Sequence, residues 1–366
     1  MNKKPIRIAV LFPLLPILLT IILLFCACGN DTSPSTESGN DTPQSTDATS
    51  DVAQPTEESN TTPQPAEEST SDPAQPAQDT TSTATQPPAE TTNSTATTPA
   101  QPAQYDLTAV HPVNGRQGVC TENSTYWVSG STTLTKYDSD WNIIAENIDP
   151  FKGYTLEVNH IGDIDVYNNE LYLGVEYFMD GEGKNIQVAV YDGDTLELKR
   201  VFPFRADTGQ LECSGIAVDP DSKTVYMTSW IDDESSNYLY MYDLETGDFK
   251  GKMQMSPAPK WLQGIACYNG SLYVTCDDGN ADENAPDHLY RINTAAGKET
   301  GTLTLEKTFD DVTRQGEIEG LTFDKDNNQF LLLYNRGARI VAGMPTGFYD
   351  GYDEEIHEVF IYNLTS

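Results

Sequence analysis

Carboxylates stand at the starts of short apolar runs within residues 105–366. They are Asp163, Glu212, Glu317 and Glu319. Carboxylates that are brought together repel one another, which raises their pKa values unless a cation neutralises them. Ca²⁺ accepts about six to eight oxygen ligands at flexible angles, so these four residues are the candidate calcium ligands. Two other interpretations stay open: paired carboxylates that perform acid–base work on a glycoside or lactone, and solvated loop ends in a very acidic protein.

Aromatic, amide and basic side chains occupy equivalent positions beside runs of the same kind. The predicted ligand-binding set is His160, Asp163, Glu176, Glu212, Trp230, Trp261, Gln263 and Arg336. The four histidines show no spacing typical of a zinc site, and the sequence contains neither a Gly-x-Ser-x-Gly elbow nor a phosphate-binding loop. The sequence assigns no catalytic residue, and it favours a binding protein over an enzyme.

Five segments of residues 105–366 share one layout, and this layout positions the candidate side chains. Their leading glycines are Gly118, Gly162, Gly215, Gly264 and Gly320. Each glycine is followed by an apolar strand, a polar turn, an aromatic-rich second strand and a third strand. In one segment these strands contain Ile216-Ala217-Val218, Val225-Tyr226-Met227 and Met241-Tyr242-Asp243. Repeats of about 40–50 residues built from short strands are typical of β-propeller blades.

The sequence therefore predicts an all-β fold, a β-propeller of four-stranded antiparallel blades. Five blades are favoured, and six are the alternative if a long loop hides another sheet. The last repeat stops one strand short, whereas residues 105–110 precede the first repeat without a partner. We expect that segment to close the ring as the outer strand of the last blade, which removes two open sheet edges. Starts of first strands and ends of second strands then meet at one mouth of the channel.

The glycine-apolar strand starts and the Tyr-Asp strand ends resemble secreted β-propellers of the NHL, SMP-30-like and TolB-like groups. This resemblance covers about residues 117–366. Within it, Glu319-Gly320 is similar to the start of an SMP-30-type blade, in which the glutamate is a calcium ligand. The resemblance thus implies a calcium ligand at Glu319, whereas the Asn and Asp ligands of that family cannot be placed here.

Residues 1–28 have the layout of a secretory signal peptide. Lys3, Lys4 and Arg7 precede an apolar run over residues 8–25 that two prolines interrupt. The run ends in Ala27-Cys28-Gly29, which resembles the lipobox of bacterial lipoproteins, with Cys28 as the lipidated residue. This predicts a protein anchored by its N-terminal lipid to the bacterial cell membrane and facing outside the cytoplasm. An uncleaved membrane anchor is the alternative.

Residues 29–104 form a second region of different composition. They contain 12 Asp or Glu, 11 Pro and no Lys, Arg or aromatic residue. Without apolar side chains no burial offsets the loss of chain entropy, so this region is predicted to be a disordered, extended linker. The propeller domain then occupies residues 105–366.

The charge of the chain limits its partners. With 56 acidic and 21 basic residues the net charge is −35, which disfavours a basic surface for nucleic acid. The leading hypothesis is a surface-displayed propeller that binds an extracellular ligand or envelope protein at its acidic channel mouth. The alternatives are an extracellular calcium-dependent hydrolase or lactonase and an envelope scaffold.

Four cysteines fall within the propeller region: Cys120, Cys213, Cys267 and Cys276. An even number in an exported chain permits two disulfides. Three of them lie in or beside predicted inner strands, where a free thiol packs as a small apolar group. Free thiols are therefore favoured over disulfides.

Overall fold

The computed structural model of the chain describes residues 104–179, 181–230, 234–293, 300–313, 315–341 and 343–365. All of these residues belong to one compact unit. The predicted signal peptide, the lipidated Cys28 and the linker up to residue 103 lie outside the described residues. Among the described residues, no helix has the length and apolar character needed to cross a membrane.

The described unit is built almost wholly from β-strands. In chain order they are β1 (Gln104–Pro112), β2 (Gly118–Glu122), β3 (Thr125–Gly130), β4 (Thr133–Tyr137), β5 (Ile143–Asn147), β6 (His160–Tyr167), β7 (Glu170–Met179), β8 (Glu182–Asp192), β9 (Leu198–Val201), β10 (Ile216–Asp219), β11 (Thr224–Met227), β12 (Tyr238–Asp243), β13 (Phe249–Ser256), β14 (Leu262–Tyr268), β15 (Ser271–Cys276), β16 (His288–Asn293), β17 (Thr300–Thr308), β18 (Gly316–Asp324), β19 (Gln329–Arg336), β20 (Ala338–Val341), β21 (Met344–Phe348) and β22 (Ile356–Thr365). Two single-turn 3-10 helices, Ser235–Asn237 and Ala281–Glu283, complete the secondary structure of the described residues.

These strands form five antiparallel four-stranded units in the described part of the chain. Their strand orders are β2-β3-β4-β5, β6-β7-β8-β9, β10-β11-β12-β13, β14-β15-β16-β17 and β18-β19-β22-β1. The third and fourth units are joined because Gln254–Ser256 of β13 pairs in parallel with Thr300–Thr302 of β17, which makes one eight-stranded sheet. The prediction of five blades thus fits in part, since two of the five units share a sheet.

The chain segment before the first unit closes the last one. Strand β1 pairs antiparallel with β22, for example Tyr105 with Leu364 and Val110 with Phe360. Strand β1 is therefore the outer strand of the last unit, as predicted. The long connection between β19 and β22 contains only the two-stranded ribbon β20–β21 among its described residues, rather than a sixth blade.

The inner strands of the five units form a ring. Strands β2, β6, β10, β14 and β18 each contact the next, and β18 contacts β2. The leading glycines allow this close approach, because a Cβ atom on Gly264 would lie 2.6 Å from the Cα atom of Gly320. This arrangement of radial sheets around a channel is that of a β-propeller.

Alternating side chains of each strand pack on opposite sides of its sheet. On β7, Leu171 and Leu173 join the core between the first and second units, whereas Tyr172 joins the core between the second and third. Both faces of each sheet are therefore buried, which explains the apolar runs of the second strands. All four cysteines of the described unit are free, and three of them are buried, as favoured from the sequence.

Candidate ligand-binding cavity at the channel mouth

Strand pairing brings the starts of first strands beside the ends of second strands. His160 at the start of β6 lies opposite Glu176 near the end of β7, and Gly316 of β18 lies opposite Arg336 of β19. We call this end of the channel the mouth and the opposite end, where the first turns lie, the turn end. The predicted grouping of the candidate residues depends on this pairing.

A cavity of about 240 Å³ opens at the mouth. Six predicted residues line it, namely His160, Glu212, Trp230, Gln263, Glu317 and Glu319. They come from four of the five units of the propeller, so only the closed ring brings them to one place. Four of the six are acids or an imidazole, so titratable groups share the cavity wall with apolar side chains such as Phe178 and Met344.

A second cavity of about 340 Å³ adjoins the first. The two share Trp230, Gln263, Glu317 and Gly343, and the second adds Trp261. The rings of Trp230 and Trp261 lie 5.8 Å apart between centroids and are tilted by 44°. The paired tryptophans therefore lie where the two cavities meet.

Three predicted residues do not line either cavity. Asp163 is buried within the channel, where its carboxylate accepts hydrogen bonds from the backbone N–H groups of Ile164 (2.8 Å) and Ile265 (3.1 Å). Glu176 lies behind His160 in the wall of the propeller. Arg336 pairs instead with Glu358, at 2.8 Å, and donates to the hydroxyl of Tyr352.

His160 and Glu176 form a hydrogen-bonded pair in the cavity wall. Nδ1 of His160 lies 3.0 Å from Oε1 of Glu176, whose Oε2 accepts from the backbone N–H of Cys213. Burial lowers the pKa of His160 to about 4, with a smaller contribution from Arg116, and burial raises the pKa of Glu176 well above its usual range. Both groups thus favour their uncharged forms, since an isolated charge is costly in such surroundings.

Glu317 and Glu319 form a carboxyl pair opposite Arg116. Arg116 donates to Oε2 of Glu317 at 3.3 Å, while Gln263 donates to Oε1 of Glu317 at 3.1 Å. Glu319 accepts from Nδ2 of Asn335 at 2.6 Å. Burial raises the pKa of both carboxyls, and the charge of Glu317 raises that of Glu319 further. Glu319 therefore holds a proton more readily than Glu317, which faces the guanidinium.

Glu212 is the third acid of the cavity wall. Its Oε2 accepts a hydrogen bond from the backbone N–H of Trp230 at 3.1 Å. Burial, and then the charge of Glu176, raise the pKa of Glu212 well above its usual range. The acids of the mouth therefore act as hydrogen-bonding groups more than as free negative charges.

Two features of the cavity were missed from the sequence. Arg116 is one of them, although it stands two residues before Gly118, at the same type of strand start that identified the other residues. The other is the ribbon β20–β21, whose residues Gly343, Met344 and Pro345 line the first cavity. Nothing in the repeat pattern indicates the ribbon, because it is an insertion between the second and third strands of the last unit.

The four predicted calcium ligands are Asp163, Glu212, Glu317 and Glu319. Within the described ranges, no group of three His, Cys, Asp or Glu side chains is placed to hold a metal ion. The carboxylate of Asp163 binds two backbone N–H groups inside the channel, away from the cavity lining. The residues as placed do not fit one shared calcium site, and calcium binding stays a prediction for solution measurement.

Comparisons with known proteins assign no family to this chain. No protein-family model matches the sequence, and no curated protein matches it. Similar solved structures include the glutaminyl cyclase of Myxococcus xanthus, at 10% identity and TM-score 0.46, covering 73% of this chain and all of that chain. The PQQ-bound aldose sugar dehydrogenase of Streptomyces coelicolor has 12% identity and TM-score 0.40, with coverages of 71% and 100%. A gluconolactonase of Xanthomonas campestris has 14% identity and TM-score 0.39, with coverages of 66% and 68%.

These neighbours are β-propeller-like proteins. Identities and TM-scores this low carry no argument about the activity of this chain. The class of protein is therefore defined by its own strand pairing and cavity: a β-propeller with a polar, partly aromatic cavity at one mouth of its channel.

Proposed function

We propose that this protein is an exported, lipid-anchored, five-bladed β-propeller that binds a small ligand at the mouth of its channel. The observation that carries the proposal is the cavity of about 240 Å³ in which polar groups of separate units converge. Sites for small molecules are concave, few in number and fixed by a small set of convergent polar groups. The N-terminal lipobox and linker pattern supports display outside the cytoplasm.

Bringing several acids together in a buried cavity costs free energy of folding. We therefore ascribe their convergence to ligand binding. Glu212 and Glu319 are buried, and burial of an acid requires either a proton or a partner. A structural core gains more from apolar side chains of similar size. Retention of several acids around one cavity is therefore better explained by a ligand than by stability.

The test is a thermal-shift screen of the full chain against a library of charged and hydroxyl-rich small molecules. A bound compound stabilises the folded state by mass action, about 3 kcal/mol at one hundred times its dissociation constant. The double variant Glu317→Gln with Glu319→Gln is expected to lose this gain while it stays folded. Compounds that stabilise the parent and the double variant equally would show that they bind elsewhere.

Calcium is one occupant that the same screen tests. If a calcium ion binds at Glu317 and Glu319, the parent melts at a higher temperature in millimolar Ca²⁺ than in EDTA. Identical melting in both conditions excludes calcium as a stabilising occupant. The double variant is the control, because it removes two carboxylates and keeps the side-chain size.

Acid–base catalysis on the bound ligand is a second candidate function, which the His160–Glu176 pair favours. An imidazole that is oriented by a carboxyl group can take up or release a proton at the cavity wall. The corresponding test incubates the full chain with lactones and with aryl glycosides and follows product formation. Turnover that disappears in His160→Gln supports catalysis, and turnover that survives this change places it elsewhere.

A further inference from the structure

Trp261 has a backbone conformation that bulky residues rarely adopt. Its φ angle is +51°, and its side chain is 53% exposed. Left-handed backbone costs free energy for any residue with a large side chain, so it persists only where its surroundings hold it. Here the carbonyl of Trp261 accepts the N–H of Asp277 at 2.8 Å, and the buried Leu262 follows directly.

Trp141 provides a comparison within the same chain. It also has a positive φ angle, +60°, but its ring stacks on Tyr126 at 4.4 Å and on His111 at 4.9 Å. These stacking contacts offset the strain at Trp141. The ring of Trp261 contacts Trp230 in a tilted arrangement and is otherwise largely exposed, so packing does not account for its strained position.

The groups around Trp261 offer hydrogen bonds beside an apolar ring. Gln263, Asp277 and Glu317 line the same cavity of about 340 Å³ as the two tryptophans. An exposed indole presents a flat apolar face, whereas amide and carboxylate groups exchange hydrogen bonds with hydroxyl groups. This combination suits a ligand whose ring has an apolar face and a hydroxyl-bearing edge.

We propose that Trp261, together with Trp230, Gln263, Asp277 and Glu317, forms a subsite for a sugar ring. The proposal rests on the mouth cavity being the binding site proposed above and names the chemical class of its ligand. The sugar stacks its C–H face on the indole of Trp261 and donates hydroxyl hydrogen bonds to Asp277 and Glu317. The exposed indole, carried by the strained backbone of Trp261, is the platform that fixes the orientation of the sugar.

An organic cation fits the same groups less well. The two indole rings lie 5.8 Å apart, so they contact each other and leave no slot for a cation between them. Glu317 already pairs with Arg116, which in turn also pairs with Glu355 at 3.0 Å. The guanidinium of Arg116 thus already occupies Oε2 of Glu317, and the missing slot between the indoles is what disfavours an organic cation.

The experiment measures binding of soluble oligosaccharides to the full chain by tryptophan fluorescence and titration calorimetry. The panel contains oligosaccharides built from glucose, mannose, galactose, xylose and N-acetylglucosamine. At least one member is expected to bind, and Trp261→Ala is expected to weaken it on the order of 30-fold, as for a central aromatic contact. Trp261→Phe retains a flat ring and should lose less, while Trp141→Ala should bind as the parent does.

A second measurement needs no ligand. Glycine adopts a positive φ angle freely, so Trp261→Gly relieves the backbone strain at this position. The melting temperature of the variant should therefore equal or exceed that of the parent. Trp141→Gly should instead melt lower, because it loses two stacking contacts. A marked fall in the melting temperature of Trp261→Gly would show that the ring serves packing, and would overturn the proposal.

The outcomes separate this proposal from the proposed function. If no saccharide binds while a library compound still binds in a Glu317-dependent way, the sugar subsite is wrong and the binding cavity stands. If a saccharide binds equally to the parent and to Trp261→Ala, the subsite is also wrong. If nothing binds at the mouth at all, both proposals fail together.

Discussion

The two ends of the propeller channel are both rich in carboxylates, yet the partners of these carboxylates differ. At the mouth, Glu176 pairs with an imidazole, Glu317 with a guanidinium and Glu319 with a side-chain amide. At the turn end, acids surround another cavity, of about 300 Å³, and two of them, Glu122 and Asp165, bind backbone N–H groups of the neighbouring unit. Both ends are thus rich in acids, but the hydrogen-bonding partners of these acids differ.

The turn-end acids organise the turns. Glu122 accepts from the N–H groups of Asn168 and Asn169, at 2.9 and 2.8 Å, which ties the first unit to the second. Asp165 accepts from the N–H of Val218 at 2.7 Å, in the third unit. Such bonds satisfy backbone donors that have no strand partner. Glu122 and Asp165 thus stabilise the turns, whereas Glu176, Glu317 and Glu319 at the mouth also meet polar side chains around a cavity.

Asp163, which lies between the two ends, should contribute most to the stability of the fold. Asp163→Ala leaves the N–H groups of Ile164 and Ile265 without their acceptor inside the channel. Each buried donor that loses its partner costs about 1–3 kcal/mol, so we expect a loss of about 3 kcal/mol in the free energy of unfolding. Urea denaturation measures it, with Asp163→Asn as the milder control. A loss below that of Asp163→Asn would mean that the carboxylate does not link the inner strands.

The mouth should respond to pH through Glu319. Burial and the charge of Glu317 raise its pKa in the folded state, so folding favours the protonated form. Its contribution to stability is complete below the unfolded pKa and decreases as pH rises through the folded value. Relative to Glu319→Gln, the parent should therefore lose stability as pH rises above the ordinary glutamate pKa of about 4.3. Parallel stability–pH profiles of the two proteins would contradict the protonated assignment.

A single substitution at the turn end should lower the stability of the fold and leave ligand affinity at the mouth unchanged. Glu122→Ala removes the acceptor of two backbone N–H groups that are partly exposed, so we expect a loss of about 1 kcal/mol. Binding of any ligand at the mouth should keep its affinity. A change in affinity at the mouth would show that the two ends are coupled and would weaken the distinction drawn between them.

The ribbon that lines the mouth cavity should contribute least to the stability of the fold. Arg339 of β20 binds both carboxylate oxygens of Asp282, at 2.7 and 3.0 Å. Because this pair is exposed, Arg339→Gln should leave the melting temperature nearly unchanged. It should increase quenching of tryptophan fluorescence by acrylamide, because Gly343 of the ribbon lines the same two cavities as Trp230. Arg205→Gln breaks a similar exposed pair with Asp207 and is the matched control; equal quenching in both variants would exclude an anchoring role for Arg339.

The repeat pattern predicted the fold well because each unit repeats the same physical requirement. Glycine at the inner strand permits close approach, and alternating apolar residues fill both faces of a sheet, so strands such as β7 and β11 are readable from sequence. Closure by β1 was also predictable, since an unpaired strand and an incomplete sheet match. The parallel pairing between β13 and β17 was not predictable, because it depends on how the outer strands of two units meet.

The site was predictable in outline only. The rule that strand starts and ends share one mouth identified His160, Glu212 and Glu317, and it placed Asp163 with them although its side chain lies inside the channel. Whether a side chain faces the cavity or the channel depends on local bulges, such as the register shift between Ile161 and Ile164. A spacing rule does not contain that information.

The closing strand β1 also determines how the domain bears load. Gln104 pairs with Thr365 at the turn end, and Pro112 pairs with Glu358 at the mouth end. The chain before residue 104 thus joins the propeller at the end opposite the mouth cavity. Tension between a ligand held at the mouth and an attachment before residue 104 acts along β1, so the hydrogen bonds to β22 are loaded in shear and must break together rather than one after another. The strand that completes the ring is thereby also placed to resist mechanical pulling.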